Sequence, residues 1–215
     1  MEKIKGLIIK DILQLKTYRR TIVLYIAIFI FSSFSSDGIN QVLLMLMAMF
    51  FGMFAIASFN YDASSRADKY ILSLPLTKKE VVKAKYIFII LATFFGAFLG
   101  TALNIVLTYI TTKKLINLGM LLNTIFAGLL VIALVQAFQI PFIYKYGPEK
   151  GRLISIMITM SFVSLIVGIF STPKMTENIS EMAEILMPIL FFLGTMIIYY
   201  ISYKVSCIIY SKSEQ

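Results

Sequence analysis

The chain has no histidine and only one cysteine, Cys207. The first absence removes histidine-based acid–base catalysis and most metal sites. Together the two leave no zinc constellation and no intramolecular disulfide, so Cys207 is expected to pack as a small apolar residue. The sequence holds no Gly-x-x-x-x-Gly-Lys-Ser/Thr loop, so it does not bind ATP in that way. It also holds no Gly-x-Ser-x-Gly elbow. An intramembrane hydrolase would need buried His, carboxylate or metal chemistry, and none is available. No cofactor is expected on this chain.

Charge is scarce in a patterned way. Asp, Glu, Lys and Arg are absent from residues 21–36, 38–61, 86–112, 115–144, 153–173 and 185–203. Crossing the hydrocarbon core takes about 20 apolar residues in a helix. All but the first stretch meet or approach that length, and 21–36 needs tilt or local thinning. Six membrane spans follow. The pieces between them are too short to build a core of their own, so residues 1–215 form one membrane domain without a catalytic head. Carriers coupled to ions or protons place ionisable groups within the membrane. Here only Tyr is ionisable inside the six stretches. Uphill work therefore needs energy from outside the chain, delivered through its cytoplasmic faces.

What is present sets the orientation. The net charge of +9 is not a nucleic-acid signal, because basic residues flanking spans are retained on the cytoplasmic side. With the N-terminus inside, 17 of the 20 Lys/Arg fall in cytoplasmic pieces, and only Lys113, Lys114 and Lys174 fall outside. Both termini are expected inside. No cleavable signal peptide is expected at the N-terminus.

Residues 1–20 read as a cytoplasmic interfacial segment. Ile4, Leu7, Ile8, Ile12 and Leu15 form an apolar face at helical spacing, with Lys3, Lys10 and Asp11 off it. Its role is either anchoring or docking. Residues 62–85 form a structured cytoplasmic segment: a helical piece over Asp62–Tyr70, a break at Leu72-Ser73-Leu74-Pro75-Leu76, then the capping box Thr77-Lys78-Lys79-Glu80. A helix from Lys78 to Thr112 would be about 50 Å long and must tilt or project beyond the bilayer. In it, Thr93, Gly96, Ala97, Gly100 and Asn104 share one stripe, which either packs against a neighbouring helix or lines a substrate path. The fourth span carries Gln136 and Gln139 and is expected to end at Pro141. Gly147-Pro148-Glu149-Lys150-Gly151-Arg152 reads as a tight cytoplasmic turn. Residues 172–184, bracketed by Pro173 and Pro188, read as either a short outer interfacial helix or a solvated loop.

Two phrases carry a resemblance. Ser58-Phe59-Asn60-Tyr61-Asp62 followed by Asp68-Lys69-Tyr70-Ile71-Leu72-Ser73-Leu74-Pro75-Leu76-Thr77-Lys78-Lys79-Glu80-Val81-Val82 and Lys85-Tyr86 resembles the small six-span branch of the ABC-2 type transporter permeases. Gly147–Arg152 is similar to a second segment of that branch. The branch includes subunits of exporters of amphipathic peptides, such as the phenol-soluble-modulin exporters, and of antimicrobial-peptide resistance systems. The resemblance implies an all-α fold of six spans with an N-terminal interfacial helix and a cytoplasmic coupling helix. It implies no enzymatic activity in this chain: a second permease subunit pairs with it, and two separate ATPase subunits hold ATP and Mg. The ATPase-coupling role would fall on Tyr61, Asp62, Arg66, Asp68, Lys69 and Tyr70, with Gly147, Glu149, Lys150 and Arg152 as a second contact. The implied place is the bacterial cytoplasmic membrane, and the implied cargo is an amphipathic peptide or lipid-like molecule. The residues alone also leave room for an ATP-independent membrane immunity or scaffold protein.

Overall fold

The computed structural model describes residues 2–34, 41–65, 76–112, 118–154, 156–157, 160–161 and 181–212. Among them there is no strand. The helices are α1 (Glu2–Leu15), α2 (Arg19–Phe34), α3 (Gln41–Ser64), α4 (Lys78–Thr112), α5 (Leu118–Tyr146) and α6 (Glu181–Lys212). A short 3-10 turn, Lys16–Tyr18, joins α1 to α2. Four of the helices are long and apolar enough to cross a bilayer, through Leu46–Ser64, Lys78–Ile110, Leu121–Tyr146 and Pro188–Lys212. With 16 residues, α2 is apolar but short. Most of the expected fifth span, and the outer segment up to residue 180, lie outside the described residues.

The 35 residues of α4 extend about 52 Å at 1.5 Å per residue, well beyond the roughly 30 Å of a hydrocarbon core. The helix starts where the capping box places it. Thr77 donates its backbone N–H to Glu80 Oε2 at 2.8 Å, and Glu80 returns its own N–H to Thr77 Oγ1 at 3.3 Å.

The chain divides into two compact units, Met1–Ile132 and Ala133–Gln215. The first is organised around the antiparallel pair α3 and α4. Phe29 of α2, Met47 and Phe51 of α3 and Leu107 of α4 bury one cluster. Ala48, Ala97 and Ile132 bury another. The two helix backbones approach most closely at Gly96. A Cβ there would lie 2.6 Å from Phe51 Cβ and 2.9 Å from the Met47 carbonyl oxygen. Thr93, Ala97 and Asn104 are buried with it, as is Gly100. Asn104 accepts a hydrogen bond from Thr108 at 3.2 Å.

In the second unit the C-terminal parts of α5 and α6 run parallel. Ser202 lies beside Ala137 and Tyr210 beside Tyr144. Gln136, Gln139 and Cys207 are buried here.

Two expectations about proline need correcting. Pro141 does not end its helix, because α5 runs on to Tyr146. Proline has no N–H for the carbonyl four residues back, which is that of Ala137. The Ser202 hydroxyl takes the missing place, donating to the Ala137 oxygen at 2.5 Å. Nor does Pro188 mark a boundary, since α6 is continuous from Glu181. Residues 181–184, expected in the outer segment, belong to that helix.

Candidate functional site

The side chains that bring chemistry together lie where α3 ends and α4 begins. Asp62 is the first charge after one apolar stretch and Lys85 the last before the next. Because α3 and α4 are antiparallel, the two residues come level. Lys85 Nζ lies 2.6 Å from Asp62 Oδ2.

The amphipathic helix α1 completes the arrangement. Its Asp11 accepts from Lys85 at 2.9 Å. Its Lys10 donates to Asp62 Oδ1 at 2.7 Å and lies 3.2 Å from Asp11. Gln14 donates to the same Asp62 oxygen at 2.8 Å. Lys85 also donates to Ser58 Oγ at 2.9 Å, and its ammonium stands 5.1 Å from the centroid of the Phe59 ring. With Asp11, Asp62 and Ser58 as partners, the three N–H donors of Lys85 are all employed.

Two lysines and two aspartates cancel in charge, and three of the four side chains are almost wholly buried: Asp11 at 1%, Asp62 at 4% and Lys85 at 5% exposure. Ions taken out of water are tolerated only when they are paired and hydrogen-bonded on every side, and this network meets that condition. Lys10 is the member that reaches water, with its side chain 31% exposed. Burial alone would lower its pKa, but the Asp11 charge and the hydrogen bond to Asp62 outweigh this and raise it above the ordinary lysine value. Lys10 therefore stays cationic throughout the physiological range.

The network changes the reading of α1. Leu7, Asp11 and Gln14 form its buried line, at spacings of four and three. Of the expected apolar face, Leu7 is buried and Ile12 is 49% exposed; Ile9 at 55% and Leu13 at 51% are exposed as well. A polar line faces the protein because its charges find partners on α3 and α4, and the apolar residues beside it stay exposed.

The other residues singled out from the sequence fall as follows. Tyr61 is 39% exposed on the last turn of α3. Asp62 belongs to that same helix, not to a separate one after the span, and its carboxylate is turned into the chain. Arg66, Asp68, Lys69 and Tyr70 lie outside the described residues. In the second unit, Gly147 caps α5 in the left-handed region at φ 82° and donates its N–H to Ile143 at 2.9 Å. Residues 148–154 then continue as helix, exposing Glu149, Lys150 and Arg152. Gly151 is held against α5, where a Cβ would come within 2.5 Å of the Phe142 carbonyl oxygen. Gln136 and Gln139 are buried in this unit. Sequence reasoning missed Lys10, Asp11, Gln14, Ser58 and Lys85 as parts of one site. The available signal was the opposite sign of the two charges bounding adjacent apolar stretches.

Among the described residues no group of His, Cys, Asp and Glu could hold a metal ion. The arrangement is a clamp: it joins three helices at one level through charge.

A family model described as ABC-2 family transporter protein matches residues 6–211. The match begins in α1 and ends in the last turn of α6, so it takes in the clamp and both compact units. No curated protein and no solved structure matches the chain.

Proposed function

The chain belongs to the ABC-2 family of transporter proteins, and on that premise we propose that it is the permease subunit of an exporter driven by separate ATPase subunits. It works with a second permease subunit in a bacterial cytoplasmic membrane, and ATP and Mg are held by the ATPases. The cargo is an amphipathic peptide or a lipid-like molecule.

The observation that carries this reading is the buried clamp at the two ends of the segment between α3 and α4. A segment that receives a push transmits it only if its anchors do not yield. The Asp62–Lys85 pair at 2.6 Å fixes both ends to each other, and Asp11 with Lys10 ties in α1. A force on residues 66–75 therefore moves α1, α3 and α4 as one body, with α4 as the long lever. Asp62 serves coupling from inside, by holding the segment in place. Tyr61, Arg66, Asp68, Lys69 and Tyr70 provide the surface that meets the ATPase, joined by Glu149, Lys150 and Arg152 on the helical stretch after Gly147. The exposed Phe94 and Phe98 of the first unit offer apolar surface to such a cargo.

The test is copurification. The full-length chain, tagged and extracted from its native membrane in mild detergent, is expected to bring an ABC ATPase with it. Arg66→Glu reverses a charge in the proposed contact and is expected to reduce the recovered ATPase several-fold while the permease itself keeps its yield. Undiminished recovery removes Arg66 from the interface. Absence of any ATPase from the wild-type preparation contradicts the reading as a whole.

A further inference from the structure

The second unit contains a groove that the coupling clamp does not use. It measures about 350 Å³, within the roughly 300–1,000 Å³ of small-molecule sites. One wall is α5, through Ala137, Phe138, Pro141 and Phe142, and the other is α6, through Ile198 to Ile209. The lining is apolar except for two residues. Ser202 has its hydroxyl committed to the Ala137 carbonyl. Lys145 is exposed and stands at the end of the groove where α5 stops.

Two features make this a built site. The first is its fixed shape. Pro141 frees the Ala137 carbonyl, and Ser202 reaches across from α6 to bond it. That cross-link pins the two helices at the centre of the groove. The second is the cation. Lys145 is the first charge after the apolar run of α5, so it sits at the level where hydrocarbon gives way to headgroups. Its ammonium lies 5.0 Å from the Tyr146 ring centroid. Among the described residues no carboxylate pairs with it.

An apolar slot that opens at the headgroup level beside a cation with no carboxylate partner among the described residues matches an amphiphile with an anionic headgroup. We propose that the groove between α5 and α6 holds an anionic phospholipid of the surrounding membrane, with an acyl chain along Phe138, Pro141 and Val205 and the phosphate on Lys145. Bound there, the lipid seals the gap between the helices. The proposal needs only that the chain spans a bilayer, so it stands or falls separately from the ATPase reading.

Native mass spectrometry of the full-length chain in mild detergent tests it, with mixed micelles of equal phosphatidylglycerol and phosphatidylcholine. One basic residue at the headgroup level is expected to favour the anionic lipid about fivefold. Lys145→Gln is expected to abolish that preference and Lys145→Arg to keep it. Lys150→Gln, on the exposed stretch 148–154, is expected to leave the lipid preference unchanged. Ile201→Trp fills the groove and is expected to remove both lipids. The proposal is overturned by equal retention of the two lipids on the wild-type chain, by a preference surviving Lys145→Gln or Ile201→Trp, or by an equal loss in Lys150→Gln. A lipid-free dimer would assign the groove to a second copy of the chain, and that too overturns it.

Discussion

Lys85→Met is expected to destabilise the chain more than any other single change, by about 3–5 kcal/mol. The substitution keeps much of the side-chain volume but leaves Asp11 and Asp62, at 1% and 4% exposure, with one lysine between them. That remaining lysine, Lys10, is the partly exposed one. Lys10→Met is therefore expected to cost less, because water can reach the space it leaves. The combination Lys85→Met with Asp62→Asn restores neutrality around the Lys10–Asp11 pair and is expected to recover much of the loss. Thermal stability of the detergent-extracted protein, followed by the fraction surviving as a monodisperse species, reads all three. A Lys85→Met protein as stable as wild type would show that these charges are not buried together. The neutral double variant has a second use. It restores stability without the tie between the segment's two ends, so a partner ATPase bound to it should hydrolyse ATP without moving cargo.

Gly96→Leu is expected to have the next largest effect. The Cβ of any residue at this position meets Phe51 Cβ at 2.6 Å and the Met47 carbonyl oxygen at 2.9 Å. Both belong to the frame of α3, so no rotamer change can clear them, and the two helices must separate. Overpacking of this kind costs about 1–3 kcal/mol, sometimes more, and Leu adds three carbons beyond the first clash. Gly96→Ala should fall between Leu and wild type. Gly194, where an added Cβ meets nothing within 4 Å, supplies the control: Gly194→Leu should not lower stability, since Leu is also the better helix former. Equal behaviour of the Gly96 and Gly194 variants would remove the close approach of α3 and α4 from the account.

How much was legible in the sequence depended on whether the cause was local. The start of α4 could be read because Thr77 and Glu80 satisfy each other three residues apart. The buried stripe through Thr93, Gly96, Gly100 and Asn104 could be read because helical spacing alone puts these residues on one face. The continuation of α5 past Pro141 could not, because the replacement hydrogen bond comes from Ser202 on another helix. The inward line of α1 was hidden for the same reason. Asp11 looks like a solvated charge until Lys85, 74 positions away, is brought beside it. Hydrophobic periodicity placed Leu7 with Ile12 on one interfacial face and Asp11 off it, whereas charge pairing turns Leu7, Asp11 and Gln14 inward together. Asp62 was recognised as important for the wrong surface: its neighbours in sequence suggested an exposed contact, and its neighbours in space enclose it.

The most direct test of the central claim is uptake by sealed vesicles of a fluorescently labelled amphipathic helical peptide, with the permease reconstituted either alone or with its ATPase and second permease subunit. The account predicts accumulation against a gradient only when the ATPase and ATP-Mg are both present. It also predicts that the stable Lys85→Met, Asp62→Asn variant hydrolyses ATP without accumulating peptide. Sustained accumulation by the permease alone, with no ATPase and no nucleotide, would contradict it.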